Sequence, residues 1–178
     1  MRNGAHISPC GKYRYNLWRS WFSANVIEPE AGTVLFVMLN PSTADASEDD
    51  ATIRKCIGFA KKWGQGGITV VNVFGLRATD PAELFKADDP VGPDNDRAIR
   101  EAAKSHELVV AAWGTNAAKV SRARVQRVRN MLGRRLLCLK KSKDGHPWHP
   151  LYVPYSKALE PFDDVDFPRE TKTDEKSK

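Results

Sequence analysis

Apolar residues gather in four short runs along the chain: Val34–Leu39, Ile68–Phe74, Leu108–Trp113 and Leu136–Leu139. The first two are rich in Val, Ile and Phe, as strands buried on both faces should be. Between the runs the apolar spacing changes. Ile53, Cys56, Ile57 and Ala60 fall at i, i+3, i+4 and i+7, one face of a helix. Asp50 stands where an N-cap belongs, and Gly64, Gly66 and Gly67 stop the pattern. Asp94–Lys104 predicts a second helix and Ala117–Leu132 a third, with Val125, Val128 and Leu132 facing inward. Strands alternating with helices of this length predict βαβ units. The expected fold is therefore α/β, a three-layer α/β/α sandwich around a short, mainly parallel four-stranded sheet. The aromatic and basic stretch KYRYNLWRSWF, residues 12–22, predicts an edge strand or a lead-in packed on the core.

With 178 residues, 41% of them hydrophobic, the chain has the size of one globular domain. We place that domain at residues 1–159 and a polar, disordered tail at 160–178. No apolar stretch approaches the roughly 20 residues that span a bilayer, and the N-terminus lacks an apolar signal core. Cys10, Cys56 and Cys138 are too few and too far apart for a disulfide framework or a metal knuckle. A cytoplasmic protein with reduced thiols and no membrane partner is the expectation.

The net charge of +6 changes the picture, because it is unevenly spread. From Glu160 onward seven acids face four bases, so the tail carries −3 and the preceding chain +9. Lys119–Lys143 holds ten Lys or Arg and no Asp or Glu. Such a block either attracts phosphates or is a solvated basic face. The candidates for backbone contacts in a nucleic acid are Lys119, Arg122, Arg127, Lys140, Lys141 and Lys143.

In an open parallel sheet, ligands bind beyond the carboxyl ends of the strands. Every predicted strand here hands over to polar residues at that end. Asn40-Pro41-Ser42-Thr43-Ala44-Asp45 follows the first and Gly75-Leu76-Arg77-Ala78-Thr79-Asp80-Pro81 the second. Gly114-Thr115-Asn116 follows the third, and Lys140 to Tyr152 the fourth. An Asn amide can orient water or read a base edge. Pro41 stiffens its turn, while Ser42 and Thr43 hold a phosphate or cap a turn. Arg77 is suited to a phosphate or carboxylate, or to an ion pair with Asp80 or Asp45. Asp45 and Asp50 are candidate general bases, with capping the better role for Asp50. Trp113, Asn116, Trp148 and Tyr152 can contact or stack on a base. His146 and His149 lack a third metal ligand, so no metal and no cofactor are expected. A Pro-constrained His can instead donate to developing negative charge.

The strings MLNPSTADA, DDATIRKCIGFAKKWG, VNVFGLRATDP, DDPVGPDND, VVAAWG and HPWHPLY closely resemble domain-of-unknown-function family 1643, from about Tyr13 to Tyr152. That resemblance carries no activity with it. More distantly, the order of motifs resembles the uracil-DNA glycosylase superfamily, which implies its parallel-sheet α/β/α sandwich. Met38-Leu39-Asn40-Pro41-Ser42 is similar to the segment whose Asn positions the attacking water. Asn72–Arg77 and Ala111-Ala112-Trp113-Gly114 are similar to the ends of that fold's next two strands. His146-Pro147-Trp148-His149-Pro150-Leu151 is similar to the loop whose His steadies the leaving base and whose Leu enters the duplex. Either His matches, and His149, directly before Pro150-Leu151, is the better counterpart.

What this resemblance implies is a nucleic-acid-directed, glycosylase-like protein that recognises a modified base and hydrolyses its N-glycosidic bond. Asn40 would orient water, with Asp45 as a candidate base, His149 would steady the base and Arg77 would hold a phosphate. Pro41, Ser42, Thr43, Trp113, Asn116, His146, Leu151 and Tyr152 would complete the binding site. DNA is the expected partner ahead of RNA. A non-catalytic nucleotide-binding or modified-base-binding module and a small-molecule nucleoside or nucleotide hydrolase are the alternatives.

Overall fold

The structure is a computed structural model describing residues 2–21, 32–42, 44, 46–133 and 136–162. In chain order its elements are β1 (Arg2–Ile7), β2 (Arg14–Ser20), β3 (Thr33–Met38), α1 (Ala51–Lys62) and β4 (Gly67–Asn72). They continue with α2 (Asn95–Ser105), β5 (Leu108–Ala111), α3 (Ala117–Leu132), β6 (Leu136–Cys138) and β7 (Glu160–Phe162). Two short 3-10 turns lie at Pro81–Phe85 and Pro150–Tyr152. Among the described residues the strands form one seven-stranded sheet in the order β1-β2-β4-β3-β5-β6-β7.

The four strands read from the apolar runs are β3, β4, β5 and β6, and they pair in parallel. The expected four-stranded, mainly parallel sheet is nevertheless a correction. β1 and β2 extend one side antiparallel, and β7 closes the other side antiparallel. The three added strands lack a continuous apolar run, which is why periodicity passes over them. β2 buries Tyr15 and Leu17 together with two arginines, Arg14 and Arg19, while β7 is three residues long. β2 is also an inner strand, with β1 on its free side. Residues 160–162, expected in the tail, are β7, and Phe162 is buried. Residues 163–178 lie outside the described residues.

The sheet is covered on both faces, because its central strands bury alternate residues each way. Val34, Phe36 and Met38 of β3 pack with Ile53, Cys56, Phe59 and Ala60 of α1. Leu35 and Val37, with Leu39 just beyond the strand, pack with Ile99 and Ala103 of α2 and with Val125 and Val128 of α3. Asp50 caps α1 as its position predicts, accepting from the Ile53 amide at 2.8 Å. The buried Arg19 guanidinium fixes the approach to that cap. It pairs with Asp49 at 2.7 Å and donates to the Glu48 carbonyl at 3.3 Å.

The third helix is not continuous. Ser121 is extended (φ −163°, ψ 111°), and its Oγ accepts from the Arg124 amide at 3.1 Å. The helix therefore ends after one turn and restarts with Ser121 as a fresh N-cap. Arg124 then reaches back across the domain. Its Nε donates to the Val73 carbonyl at 2.8 Å, and Nη1 pairs with Asp96 of α2. Asn95 donates to the Asn72 and Val73 carbonyls at 3.0 and 3.3 Å. These bonds pin the carboxyl end of β4, where the candidate site begins.

Candidate functional site

A cleft of about 610 Å³ opens beyond the carboxyl ends of β3, β4 and β5. The polar handovers read from the sequence explain why it lies there. β3 and β4 stop in register at Met38 and Asn72, and β5 stops beside them. The chain then turns away, leaving side chains to fill the rim. At Gly114 the turn needs a left-handed residue (φ +74°) and comes close to the His loop: a Cβ there would lie 3.6 Å from His149 Cβ.

Asn40 lines the cleft and is half-buried. Its Nδ2 donates to the Ala78 carbonyl at 2.7 Å and to the Pro41 carbonyl at 3.0 Å. Both amide protons are thus spent on the protein, and Oδ1 is what the side chain can offer a ligand. A locked acceptor of this kind holds a water by one of its hydrogens.

His149 also lines the cleft. Its Nδ1 accepts from the Leu151 amide at 3.4 Å. That bond places the ring proton on Nε2, leaving Nε2–H as a donor. Burial pushes its pKa down, and the negative charge of Asp50 opposes the shift. The ring is consequently neutral near pH 7. Asp50 lines the same cleft while capping α1 with Oδ1.

Six of the residues predicted for the site line the cleft: Asn40, Ser42, Trp113, Asn116, His149 and Tyr152. Four do not. Arg77 is drawn to the β1–β2 turn, since its amide donates to the Lys12 carbonyl at 2.9 Å and Nη1 to the Gly11 carbonyl at 3.3 Å. Arg77 does not line the cleft, and Asp80 caps the 3-10 turn through the Ala82 amide at 2.8 Å. Pro41 is buried, its carbonyl bonded by Asn40 and by the Ala78 amide. His146 belongs to a small hairpin closed by the Lys141–Pro147 bridge, with its amide donating to Ser142 Oγ at 3.0 Å. Leu151 is 40% exposed outside the cleft. Thr43 and Asp45 lie outside the described residues.

The basic block is thinner in space than in sequence. Arg124 and Arg129 are buried, and Arg127 pairs with Asp96 at 2.8 Å, so it is a poor phosphate ligand. The Lys141 amide is held by Glu160 at 3.0 Å. Lys119, Arg122 and Lys143 are exposed, and Lys140 sits 3.9 Å over the Trp148 ring at the cleft. Burial pushes the His146 pKa down; Asp144 opposes, while Arg122 and Lys119 add to the fall.

Arg14 escaped sequence reasoning, and Asn72 entered it only as the start of a strand-end motif and not as a site residue. Arg14 enters from β2, buried, with Nη1 donating to the Ala44 carbonyl. Nothing in the spacing of residues 12–22 points to a site some two dozen residues away. Asn72 is 1% exposed and lines the cleft, and among the described residues its Nδ2 has no hydrogen-bond partner. A polar residue inside the apolar run Ile68–Phe74 was the available signal. Among the described residues no cluster of His, Cys, Asp and Glu is arranged for a metal, and no helix is long and apolar enough to cross a membrane.

A family model matches residues 14–151, from the start of β2 into the turn after His149. The chain belongs to the DUF1643 family, described as "Protein of unknown function". The match takes in all the residues lining the cleft except Tyr152. No curated protein and no solved structure matches this DUF1643 chain.

Proposed function

We propose that the cleft receives a nucleobase from a nucleic-acid strand, DNA ahead of RNA, and hydrolyses its N-glycosidic bond. The uracil-DNA glycosylase-like resemblance of the strand-end motifs is part of this reading. The observation that carries it is the pairing of a locked acceptor, Asn40 Oδ1, with a neutral donor, His149 Nε2–H, in one cleft.

These two groups match the needs of the reaction. Asn40 Oδ1 accepts a hydrogen from water, whose oxygen lone pair attacks the sugar C1′. The C1′–N bond breaks and its electron pair leaves with the base. His149 Nε2–H donates to the resulting anion, and a preorganised donor of this kind is worth roughly 10²–10³ in rate. The water's proton passes to the departing base or to Asp50. A base taken from a duplex must first be flipped out, at a few kcal/mol. In this reading Lys119, Arg122, Lys140 and Lys143 offset that through phosphate contacts.

The test incubates wild type and Asn40→Ala with single- and double-stranded oligonucleotides carrying uracil, hypoxanthine or oxidised pyrimidines. Mass spectrometry should show a free base and an abasic strand with wild type and neither with the variant. Binding without release throughout the panel would sink hydrolysis. The alternative is then a modified-base-binding module, a reading favoured by the commitment of Asp50 to its helix cap.

A further inference from the structure

We propose that Tyr155, which stands outside the cleft, positions His149 inside it by clamping the His loop to α1. This rests on the reading that His149 acts in the cleft, and it adds what holds the ring there.

Gly58 lies in the interior of α1, where glycine is the poorest helix former after proline. Its backbone is helical, so no left-handed conformation requires it. Space does. A Cβ at Gly58 would lie 2.6 Å from Tyr155 Cε1 and 2.7 Å from Cζ, well inside the 3.5–4.0 Å at which carbon atoms pack. The neighbouring turns of the helix complete the seat. Lys55 sets its ammonium 3.9 Å from the centroid of the Tyr155 ring, and Lys62 donates to the Tyr155 carbonyl at 2.8 Å. The Phe59 ring packs against it at 4.9 Å between centroids. Lys55, Gly58, Phe59 and Lys62 fall at i, i+3, i+4 and i+7, so one stripe of α1 is given over to one residue. Tyr155 nevertheless stays 42% exposed. Core burial does not account for so closely specified a seat; fixing the course of the chain does.

The stretch so fixed leads straight back to His149. The Tyr152 and Val153 amides donate to the His149 and Pro150 carbonyls, both at 3.1 Å, and Val153 is buried in the core that α1 shares. Pro150 and Pro154 restrict the backbone between these points. On the other side of His149 the Trp148 amide donates to the Lys140 carbonyl at 2.8 Å. His149 is therefore held between two fixed points, with little slack on the Tyr155 side. The same helix carries Asp50 at its N-cap, on the cleft. The clamp thus ties the His149 ring and the Asp50 carboxylate to one rigid element. Tyr155 does not itself line the cleft, so its effect on a ligand passes through His149.

Long-range ¹⁵N–¹H NMR of the His149 ring, followed through a pH titration, reads that position without any substrate. Wild type should show the Nε2–H tautomer and a pKa that burial holds below the usual histidine value. Tyr155→Ala and Gly58→Ala, checked by thermal melting to be folded, should mix the two tautomers and let the pKa rise toward about 6.5. Tyr155→Phe keeps the ring and should behave as wild type. Adding Gly58→Ala to Tyr155→Ala should raise the melting temperature, because the ring that required glycine is gone. With a strand whose base is released, Tyr155→Ala should slow single-turnover release roughly 10- to 100-fold, and should have no effect in a His149→Ala background. Should Tyr155→Ala not fold, Gly58→Ala decides. An unchanged His149 tautomer and pKa in the folded variants overturns the proposal, and so does an equal loss of rate with and without the imidazole. A shifted His149 in a protein that releases no base leaves the clamp standing and removes hydrolysis. Base release lost in Asn40→Ala, with His149 unmoved in the clamp variants, does the reverse.

Discussion

Replacing Asn40 with aspartate alters a single atom, and the structure says it is the wrong one to alter. In the wild type Nδ2 donates to two carbonyl oxygens, those of Ala78 at 2.7 Å and Pro41 at 3.0 Å. In Asn40→Asp an oxygen faces both. Two hydrogen bonds are lost, about 1–3 kcal/mol together. Opposition between a half-buried carboxylate and two carbonyl dipoles brings the total to roughly 2–4 kcal/mol near neutral pH. The sign of the pH dependence follows. The new carboxyl is destabilised as an anion only in the folded state, so its folded pKa rises above the unfolded value of about 3.9. The full penalty is present above the folded pKa. As pH falls through that value the folded state takes up a proton, the carboxyl O–H can donate to the Ala78 carbonyl, and stability relative to wild type recovers. Asn40→Ala loses the same bonds without a titrating group, so its penalty should not change with pH. Urea unfolding followed by tryptophan fluorescence, at about pH 7 and about pH 5, measures all three proteins. A wild-type-like Asn40→Asp at neutral pH would refute the amide orientation. So would an identical pH response of the two variants, and with it would go the argument that Oδ1 is reserved for the cleft.

Asp50→Asn should keep the α1 cap and the stability, whereas Asp50→Ala should lose about 1 kcal/mol in urea unfolding. Asp50→Asn should also lower the His149 pKa further in an NMR titration, since the Asp50 charge now opposes its fall. His149 is depressed by burial, so its contribution to stability is complete above the unfolded value of about 6.5. That contribution is lost as pH falls from there toward the folded pKa, and His149→Gln should flatten the loss in unfolding curves. Burial works against the Asp96 carboxylate, but Arg124 and Arg127 outweigh it and hold its pKa below the usual range. Asp96→Ala strands the buried Arg124; with the acid's side chain 20% exposed, about 2–3 kcal/mol should be lost, and Arg127→Ala should cost under about 1 kcal/mol. A wild-type midpoint for Asp96→Ala in urea would contradict this.

Burial on both faces writes itself into a sequence as an uninterrupted apolar run, which is why β3 to β6 were legible. The bounds Ala117–Leu132 were read from apolar spacing as well, yet the break at Ser121 was not. It depends on an Oγ reaching the Arg124 amide, and apolar spacing does not register a hydroxyl. β1 and β7 were illegible as sheet members because they bury polar or very few residues. The stretch holding β2 was legible as an edge strand or a lead-in but not as an inner strand, since it buries Arg19, which is held by Asp49 and by the Glu48, Gly4 and Trp18 carbonyls. At the site, Asn40 and His149 stood out as polar residues following strands, and both line the cleft. Arg77 stood out for the same reason and does not join them. A neighbouring strand turn, remote in sequence, captures its backbone and guanidinium. Arg14 shows the converse: tertiary pairing of β2 with β4 brings it to the cleft, and no local pattern announces that.

Whether a base seats in this cleft can be seen directly in the ¹⁵N–¹H signals of the tryptophan indoles. The protein would be titrated with a 2′-fluoro strand bearing uracil, and with the same strand abasic at that position. The Trp113 and Trp148 indole signals should move with the base-bearing strand and stay in place with the abasic one, while both strands perturb amides along Lys119–Arg122. Saturating binding that leaves the two indoles unmoved, or moves them equally with both strands, would contradict the account.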